Sequence, residues 1–394
     1  MPKVLHVNDY PSGTGGGTEV YLDRITHLLR AARWDVATFT AADLPDDRQT
    51  PWRYLDNRVA RWTFRAQLDQ FRPDVVHLHN FYHVLSPGIL AELSAYRRRR
   101  TVRVVMTAHD CHLICPNSGG TWFSRSTFRQ PFNPSRVRHW SYLLSRSWDH
   151  RGLSYSALRL AQHVWNYRCG DRRRVLDLVI CPSQFLGRIV REAGWPAVVL
   201  PHPAPAWTRR ALSDRPGPLR LVFVGRLEPE KGVAEFLRIL PTPFDGTLTV
   251  VGDGRDLSRC RDVCRERGLE QVVTFLGRQP HIEVARLLQQ AHVLIAPSLS
   301  LETFALSVLE ALFVGTNVLV TDRGAPSELI ASSGVGFVFT PGDAVSLLNQ
   351  LDHIEAARRD GTLNSFDVRD FLAQCDERLY TPRLIQLYES GKAA

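Results

Sequence analysis

Two carboxylates, Glu302 and Glu310, stand with seven residues between them, the first in a loop after the apolar run Val293-Leu-Ile-Ala-Pro and the second on the helix that follows. A carboxylate accepts hydrogen bonds from paired hydroxyls, as on a ribose or hexose, and the free N–H groups of the same helix start suit a phosphate. A helix cap at Glu302 with a surface charge at Glu310 would have the same spacing. Upstream, Gly225-Arg226-Leu-Glu228-Pro-Glu230-Lys231-Gly232 brackets a short loop with two cations. Such a pair clamps a diphosphate, whose negative charge grows if it departs. An exposed ion-pair loop with Glu228 and Glu230 is the competing account.

The first half of the chain holds softer signals. After the strand-like Val4–Asn8 comes Asp9-Tyr-Pro-Ser-Gly13-Thr-Gly15-Gly16-Gly17-Thr18-Glu19, with four glycines in five positions before an amphipathic helix. Such a loop lets backbone approach a ligand, and the helix start behind it offers N–H groups to an anion; a flexible turn is the plainer reading. No Gly-Lys-Ser/Thr follows, so the loop is not a Walker A, and Thr18 stands where a dinucleotide fingerprint needs its third glycine. The run Val102–Thr107 leads directly into His109-Asp110, and Asp74–Leu78 into His79-Asn80. A histidine and aspartate at a strand end can position a hydroxyl or act as acid and base, or simply satisfy neighbouring backbone.

These residues need a scaffold that aligns strand ends. Apolar, β-rich runs of four to seven residues alternate with helix-length amphipathic segments, the pattern of parallel sheets covered on both faces. The clearest strands are Val4–Asn8, Asp74–Leu78, Val102–Thr107 and Leu178–Pro182, then Leu219–Val224, Thr247–Val251, Val272–Leu276, Val293–Pro297 and Val318–Thr321. In such sheets ligands bind beyond the carboxyl ends of the strands, where the clusters above fall. The Pro-rich stretch 201–218 suits a hinge between an N-terminal α/β domain, 1–200, and a C-terminal one, 219–375. Residues 118–175 break the strand–helix rhythm as an insertion, and 376–394 carry a short amphipathic helix, Leu379–Tyr388, that must pack on something.

The 394 residues carry a formal net charge of +9, unevenly spread. Residues 1–200 hold 28 basic and 16 acidic side chains, residues 201–394 hold 21 and 24, and all nine tryptophans precede residue 208. Only three of the 49 basic residues are lysine, so arginine-versus-lysine choices carry little weight. Seven scattered cysteines do not form a disulfide framework, and the pairs Cys111/Cys115 and Cys260/Cys264 lack partners at zinc spacing. The N-terminus has no apolar signal core, and no run reaches the roughly 18–20 apolar residues of a membrane span. A cytoplasmic protein, at most peripheral on the inner face of the plasma membrane, is expected.

In their order along the chain, Gly15-Gly-Gly-Thr-Glu19, Pro73-Asp-Val-Val-His-Leu-His79, His109-Asp110, Cys181-Pro-Ser183, Gly225-Arg-Leu-Glu-Pro-Glu-Lys-Gly232 and Glu302-x7-Glu310 resemble the retaining glycosyltransferases of family 4. The resemblance covers nearly the whole chain. It implies the GT-B fold: two Rossmann-like domains facing a central cleft, the C-terminal one holding a nucleotide-sugar, the N-terminal one the acceptor, and a final helix crossing back onto the N-terminal domain. By the same resemblance Arg226 and Lys231 hold the donor diphosphate, so that no metal or other cofactor is needed. Glu302 meets the transferred sugar, Glu310 the ribose, and Arg278 the base. Thr303, Phe304, Ala305, Leu306 and Ser307 face the sugar and phosphates, Gly16 and Gly17 close over the donor, and His109 sits beside the sugar. Relatives commonly read Glu-Gly-Phe-Gly where this chain has Glu302-Thr-Phe-Ala305, which narrows the approach to the donor.

The implied activity is transfer from a nucleotide-sugar, UDP-linked in preference to GDP-linked, to a glycan, glycolipid or lipid-linked acceptor in cell-surface polysaccharide or glycoconjugate biosynthesis. The acceptor side gathers His79, Asn80, Asp110, Trp122 and Trp140. In the insertion, Trp122, Phe123, Trp140, Tyr142, Trp148, Trp165 and Tyr167 stand among Arg125, Arg129, Arg136, Arg138 and Arg146, so sugar stacking and an anionic membrane or glycan contact compete there with a plain aromatic subcore. The Arg97–Arg100 run falls at the opposite sheet edge and reads as a solvated face, with no nucleic acid implied. A nicotinamide oxidoreductase lacks its fingerprint. A non-catalytic sugar-nucleotide or glycan-binding protein on the same fold remains the alternative.

Overall fold

The structure is a computed structural model that describes residues 1–11, 16–45, 54–124, 129–137, 139–168, 174–204, 207, 217–363 and 368–390, with the side chains of 129, 130 and 332 set aside. The chain divides into two compact units, Met1–Pro203 with Asp376–Ala394, and Ala204–Cys375. Much of the Pro-rich stretch expected as a hinge, together with Gly13, Gly15, Arg125 and Arg138, lies outside the described residues.

Unit 1 is a six-stranded parallel sheet in the order β2-β1-β3-β4-β7-β8. The strands are β1 (Lys3–Val7), β2 (Asp35–Phe39), β3 (Val75–Leu78), β4 (Arg103–Thr107), β7 (Leu178–Cys181) and β8 (Ala197–Val199). Helices α1 (Gly17–Ala31), α2 (Arg58–Phe71), α3 (Ile89–Arg97) and α6 (Gln184–Glu192) accompany the sheet. Between β4 and β7 the chain forms a small antiparallel hairpin, β5 (Thr121–Phe123) with β6 (Arg129–Pro131), then α4 (Trp140–Leu144) and α5 (Leu153–Tyr167). The insertion keeps an aromatic centre: Trp148 is fully buried and donates from Nε1 to the carbonyl of Leu143 at 2.8 Å.

Unit 2 is a second six-stranded parallel sheet, ordered β11-β10-β9-β12-β13-β14. Its strands are β9 (Leu219–Val224), β10 (Gly246–Val251), β11 (Val273–Gly277), β12 (Val293–Ala296), β13 (Asn317–Thr321) and β14 (Phe337–Phe339). Its helices are α7 (Val233–Ile239), α8 (Leu257–Glu266), α9 (His281–Gln290), α10 (Leu306–Val314), α11 (Ala325–Ser333), α12 (Ala344–Arg359) and α13 (Arg369–Gln374). The period of two along β9 explains the layers: Leu219, Leu221 and Phe223 enter one core, and Val222 enters the other. Numbered within the unit this is the doubly wound order 3-2-1-4-5-6, which reverses between β9 and β12; in unit 1 the order turns between β1 and β3.

The sequence reading omitted β2, β8, β14 and the β5/β6 hairpin. β8 and β14 are three-residue edge strands, and β2, Asp-Val-Ala-Thr-Phe, is a half-exposed edge strand whose Asp35 and Thr38 break the apolar run. The last helix, α14 (Glu377–Glu389), belongs to unit 1, where Tyr380 Oη lies 2.6 Å from Tyr21 Oη and Tyr388 Oη lies 2.7 Å from His77 Nδ1. All six described cysteines are free and buried. The Arg97–Arg100 run ends α3: Arg97 pairs with Asp177 at 2.8 Å, and Arg98, Arg99 and Arg100 are exposed.

Candidate active site

In unit 2 the candidate residues gather at the switch point. β9 leads through Arg226 into a 3-10 turn, Pro229–Lys231, closed by Gly232 with φ +71°. A Cβ on Gly232 would fall 2.1 Å from the carbonyl oxygen of Pro297, so only glycine lets this turn lie against the loop after β12. Leu299 N–H, donating to Glu230 O at 2.9 Å, ties the same two segments. On its other side that loop is pinned at Glu302, whose carbonyl accepts Ala325 N–H at 2.8 Å. The fit is again tight, since a Cβ on Gly324 would lie 2.2 Å from the Glu302 carbonyl oxygen.

These contacts bring Lys231 Nζ to 2.6 Å from Glu302 Oε1. Ser298 Oγ donates to the same oxygen. Burial pushes the Glu302 carboxyl up, but Lys231, the Ser298 hydroxyl and nearby Arg226 outweigh it and hold the group below its ordinary value. Arg226 is exposed, and among the described residues its side chain has no hydrogen-bond or ion-pair partner. The ion-pair account of the loop fails for Glu228, which pairs instead with Arg255 at 2.5 Å.

Helix α10 starts at the same place. Its N-cap, Ala305, sits at φ +62°, ψ +83°, and gives no side-chain cap. Glu302 is therefore not the cap, and the first-turn N–H groups, at Leu306 and Ser307, carry the positive end of the helix. Glu310 lies a turn further on, 3.3 Å from His281 Nε2, and that bond raises the His281 pKa against the opposing effect of burial. The ring of Trp207 lies 4.9 Å from that of His281. Arg278 is exposed just beyond β11, and Thr303 and Phe304 are half-buried between Glu302 and Ala305.

Unit 1 builds a different kind of strand end. Gly16 is the N-cap of α1 in an extended conformation, with Gly17 the first helical residue. Asn80 donates from Nδ2 to Thr18 Oγ1 at 3.1 Å, and among the described residues nothing donates to its buried Oδ1. Asp9 accepts the N–H groups of His83, Val84 and Leu85 at 2.7, 2.9 and 2.8 Å, a structural anchor.

The centre of this end is a chain of imidazoles. His6 Nδ1 lies 3.1 Å from His79 Nε2, and His79 Nδ1 lies 3.1 Å from His109 Nε2. His77 joins from β3, with Nε2 2.7 Å from Thr107 Oγ1. The donor atoms of His6, His77 and His79 lie within 4.8 Å of one another, as a metal site would require, but both nitrogens of His77 are already taken by Tyr388 and Thr107. Burial lowers His6 and His109 to about 3 and His79 well below its ordinary value, so the array is neutral at pH 7.

Asp110 is raised by burial to about 7, against the hydrogen bond from His112 N–H and with the charge of Asp9 adding. His79, expected on the acceptor side, is fully buried, and the ring next to it in the chain of imidazoles is His109. Trp122 is half-buried under Arg146, whose guanidinium carbon is 5.0 Å from the ring centroid, while Trp140 is 51% exposed.

Ser298, His281, His6 and His77 were not singled out from sequence. The two strand histidines had a signal: they occupy inward positions of otherwise apolar strands, where a polar side chain needs a partner. Ser298 had only its place after β12.

Residues 15–205 match the family model described as Glycosyltransferase Family 4, and residues 208–364 that of Glycosyl transferases group 1. The chain is 33% identical over 376 residues to a glycogen synthase from Mycobacterium tuberculosis, covering 90% of this chain and 80% of that protein. The chain is a GT-B glycosyltransferase of family 4. This glycosyltransferase is also 24% identical over 232 residues to a lipopolysaccharide 1,6-galactosyltransferase from Salmonella typhimurium, over 56% of this chain and 61% of that one. Among solved structures it is similar to sucrose-phosphate synthase from Thermosynechococcus elongatus, with TM-score 0.71, 18% identity and 99% and 98% of the two chains covered. HepE from Anabaena, solved in complex with UDP and glucose, is similar at TM-score 0.63 and 19% identity, with 99% and 100% covered. At these identities the likeness to solved structures shows the fold.

Proposed function

We propose that this glycosyltransferase moves a sugar from a nucleotide-sugar to a glycan, glycolipid or lipid-linked acceptor with retention at the anomeric carbon and without a metal. The observation that carries the reading is the group at the β9/β12 switch point: Lys231 held on Glu302 at 2.6 Å, exposed Arg226 beside it, and the uncapped start of α10. Lys231 has three donors and spends one on Glu302, leaving two for phosphate oxygens. The step breaks the bond between the anomeric carbon and the diphosphate oxygen and forms one to the acceptor oxygen on the same face. The acceptor's proton passes to the departing phosphate. Negative charge growing on the nucleoside diphosphate is met by preorganised cations and amide groups, and no side chain has to serve as base.

Glu302 takes sugar hydroxyls and Glu310, oriented by His281, takes those of the ribose, with Arg278 near the base. In unit 1, Gly16 and Gly17 serve the donor and the neutral His109 the transferred sugar, and Asn80, Asp110, Trp122 and Trp140 serve the acceptor. UDP is favoured over GDP as the nucleotide, as the family resemblance implies, and likeness to the lipopolysaccharide enzyme supports an acceptor in cell-surface glycoconjugate synthesis. Incubation with UDP- and GDP-sugars, reading nucleoside diphosphate release, tests this: release from a UDP-sugar that is abolished in Lys231→Ala supports it. Binding of donors with no release by the folded wild type under any acceptor condition would leave a sugar-nucleotide-binding protein instead.

A further inference from the structure

Helix α5 is inside out for a helix of a water-facing domain. Its buried positions are polar, Ser156, Gln162, His163, Asn166 and Tyr167. Its exposed positions include Leu153 at 81%, Trp165 at 63% and Tyr155 at 43%, with Ala157 and Ala161 between them. The inward side has a local reason: Gln162 Nε2 donates to Tyr54 O at 2.6 Å, and Ser156 Oγ accepts Trp148 N–H at 2.7 Å, so polar side chains dock the helix. Nothing in that docking requires leucine and tryptophan outside. Exposed apolar residues continue on α4 with Trp140 and Leu144, at 51% and 69%, and the Arg168 guanidinium lies 5.8 Å from the Trp140 ring.

The charge of this stretch of sequence is one-sided. Residues 118–175 contain eleven arginines, two aspartates, and neither lysine nor glutamate, so this segment's formal charge equals the +9 of the whole chain. Of the aspartates, Asp149 is neutralised by Arg151 at 2.8 Å and Arg159 at 2.5 Å. Helix α5 itself has no acidic residue. Among the described residues the Arg151 guanidinium lies 4.0 Å from the Tyr155 ring and Arg168 beside Trp140, and an apolar stripe with cations at its side is the pattern of a helix lying in a membrane interface, its leucine and tryptophan among acyl chains and its cations among anionic headgroups.

We propose that the exposed face of α5, extended by Trp140 and Leu144, docks this enzyme on an anionic lipid bilayer. This deepens the acceptor half of the function proposed above, since a surface-bound enzyme meets a lipid-linked acceptor in the plane of the membrane. A nucleic acid would use the arginines but leave the apolar stripe bare. A second copy of the chain would bring the same positive charge to the contact.

Co-sedimentation of the full chain with vesicles of phosphatidylcholine alone, or with phosphatidylglycerol added, tests the surface. Partition is expected to be at least about tenfold stronger on the anionic vesicles and to fall as salt rises. The pair Leu153→Gln with Trp165→Gln is expected to lower it by about tenfold or more, with unchanged circular dichroism and unchanged donor hydrolysis in solution. Ser154→Cys carrying an environment-sensitive dye gives a second readout without loss of an apolar group, its emission shifting to the blue on anionic vesicles. Equal partition on both vesicle types, or binding untouched by the double variant, would overturn the proposal. So would a concentration-dependent dimer that the double variant dissolves. Vesicle binding without nucleoside diphosphate release would sink the donor reading and leave the surface standing.

Discussion

The two sheets end in opposite kinds of polar site. At the β1/β3 turn of unit 1, polar groups satisfy one another: His6, His79 and His109 form a neutral chain, and His77 is held by Thr107 and Tyr388. At the β9/β12 turn of unit 2, charge is held ready: Lys231 leans on Glu302, Arg226 is exposed, and α10 starts uncapped. The same doubly wound architecture therefore supports a rigid, uncharged wall in one unit and an anion-receptive pole in the other. The partners decide which: burial opposes charge at both ends, the imidazoles meet one another and stay unprotonated, and the Glu302 carboxylate stays ionised because Lys231, Ser298 and Arg226 outweigh its burial.

Acidification should break the contrast most strongly. Histidines whose folded pKa lies below the unfolded value give stability that is complete above pH about 6.5 and is lost as pH falls toward the folded value of about 3. Each such imidazole weakens unit 1 by up to about 1.4 kcal/mol per pH unit in that window. His281 in unit 2 has the opposite sign, its raised pKa giving stability present below pH about 6.5 and lost as pH rises through the folded value. Eight of the nine tryptophans precede residue 203, so urea unfolding at pH 5 followed by tryptophan fluorescence reads unit 1. Its midpoint should fall well below that at pH 7.5; equal midpoints would mean the imidazoles are hydrated and protonated.

Next in size is Lys231→Ala, expected to cut nucleoside diphosphate release by about 10²–10³ while the protein stays folded. Arg226→Ala should lose activity on a similar scale with stability changed by no more than about 0.5 kcal/mol, because the guanidinium is exposed and its side chain has no internal partner among the described residues. Near-normal turnover in both variants would remove the anion-receptive role.

His79→Leu probes the other pole. It strips partners from His6 and His109 at a cost of about 1–3 kcal/mol for each nitrogen left alone, read as a lower urea midpoint. A midpoint unchanged from wild type would show that the chain is not a structural wall. The smallest effect belongs to Ala305→Gly. Relief of the left-handed backbone at φ +62° is offset in part by glycine's extra chain entropy, so a gain of up to about 1 kcal/mol in thermal unfolding is expected.

Much of this was legible without coordinates. The strands that carry the sites are apolar, buried runs at sheet centres, and their period and order sufficed to place Arg226, Lys231, Glu302 and His109 at strand ends. Of the omitted edge strands, β8 and β14 have only three residues, and β2 is half-exposed with Asp35 and Thr38 breaking its apolar run. Glu302's partner was not legible, since Lys231 lies 71 residues away and meets it only because Gly232 packs on Pro297. Ala305 was visible as a departure from relatives, but its left-handed backbone was not.

What the sequence alone determined is the doubly wound α/β class, the glycosyltransferase family and the identity of the charged loop residues, because hydrophobic period and local motifs are properties of neighbouring positions. Only the tertiary structure decided that His79 faces other histidines, that Glu228 turns to Arg255, and that α5 carries its apolar side outward. Those outcomes depend on which groups lose water together, and burial is set by segments far apart in the chain.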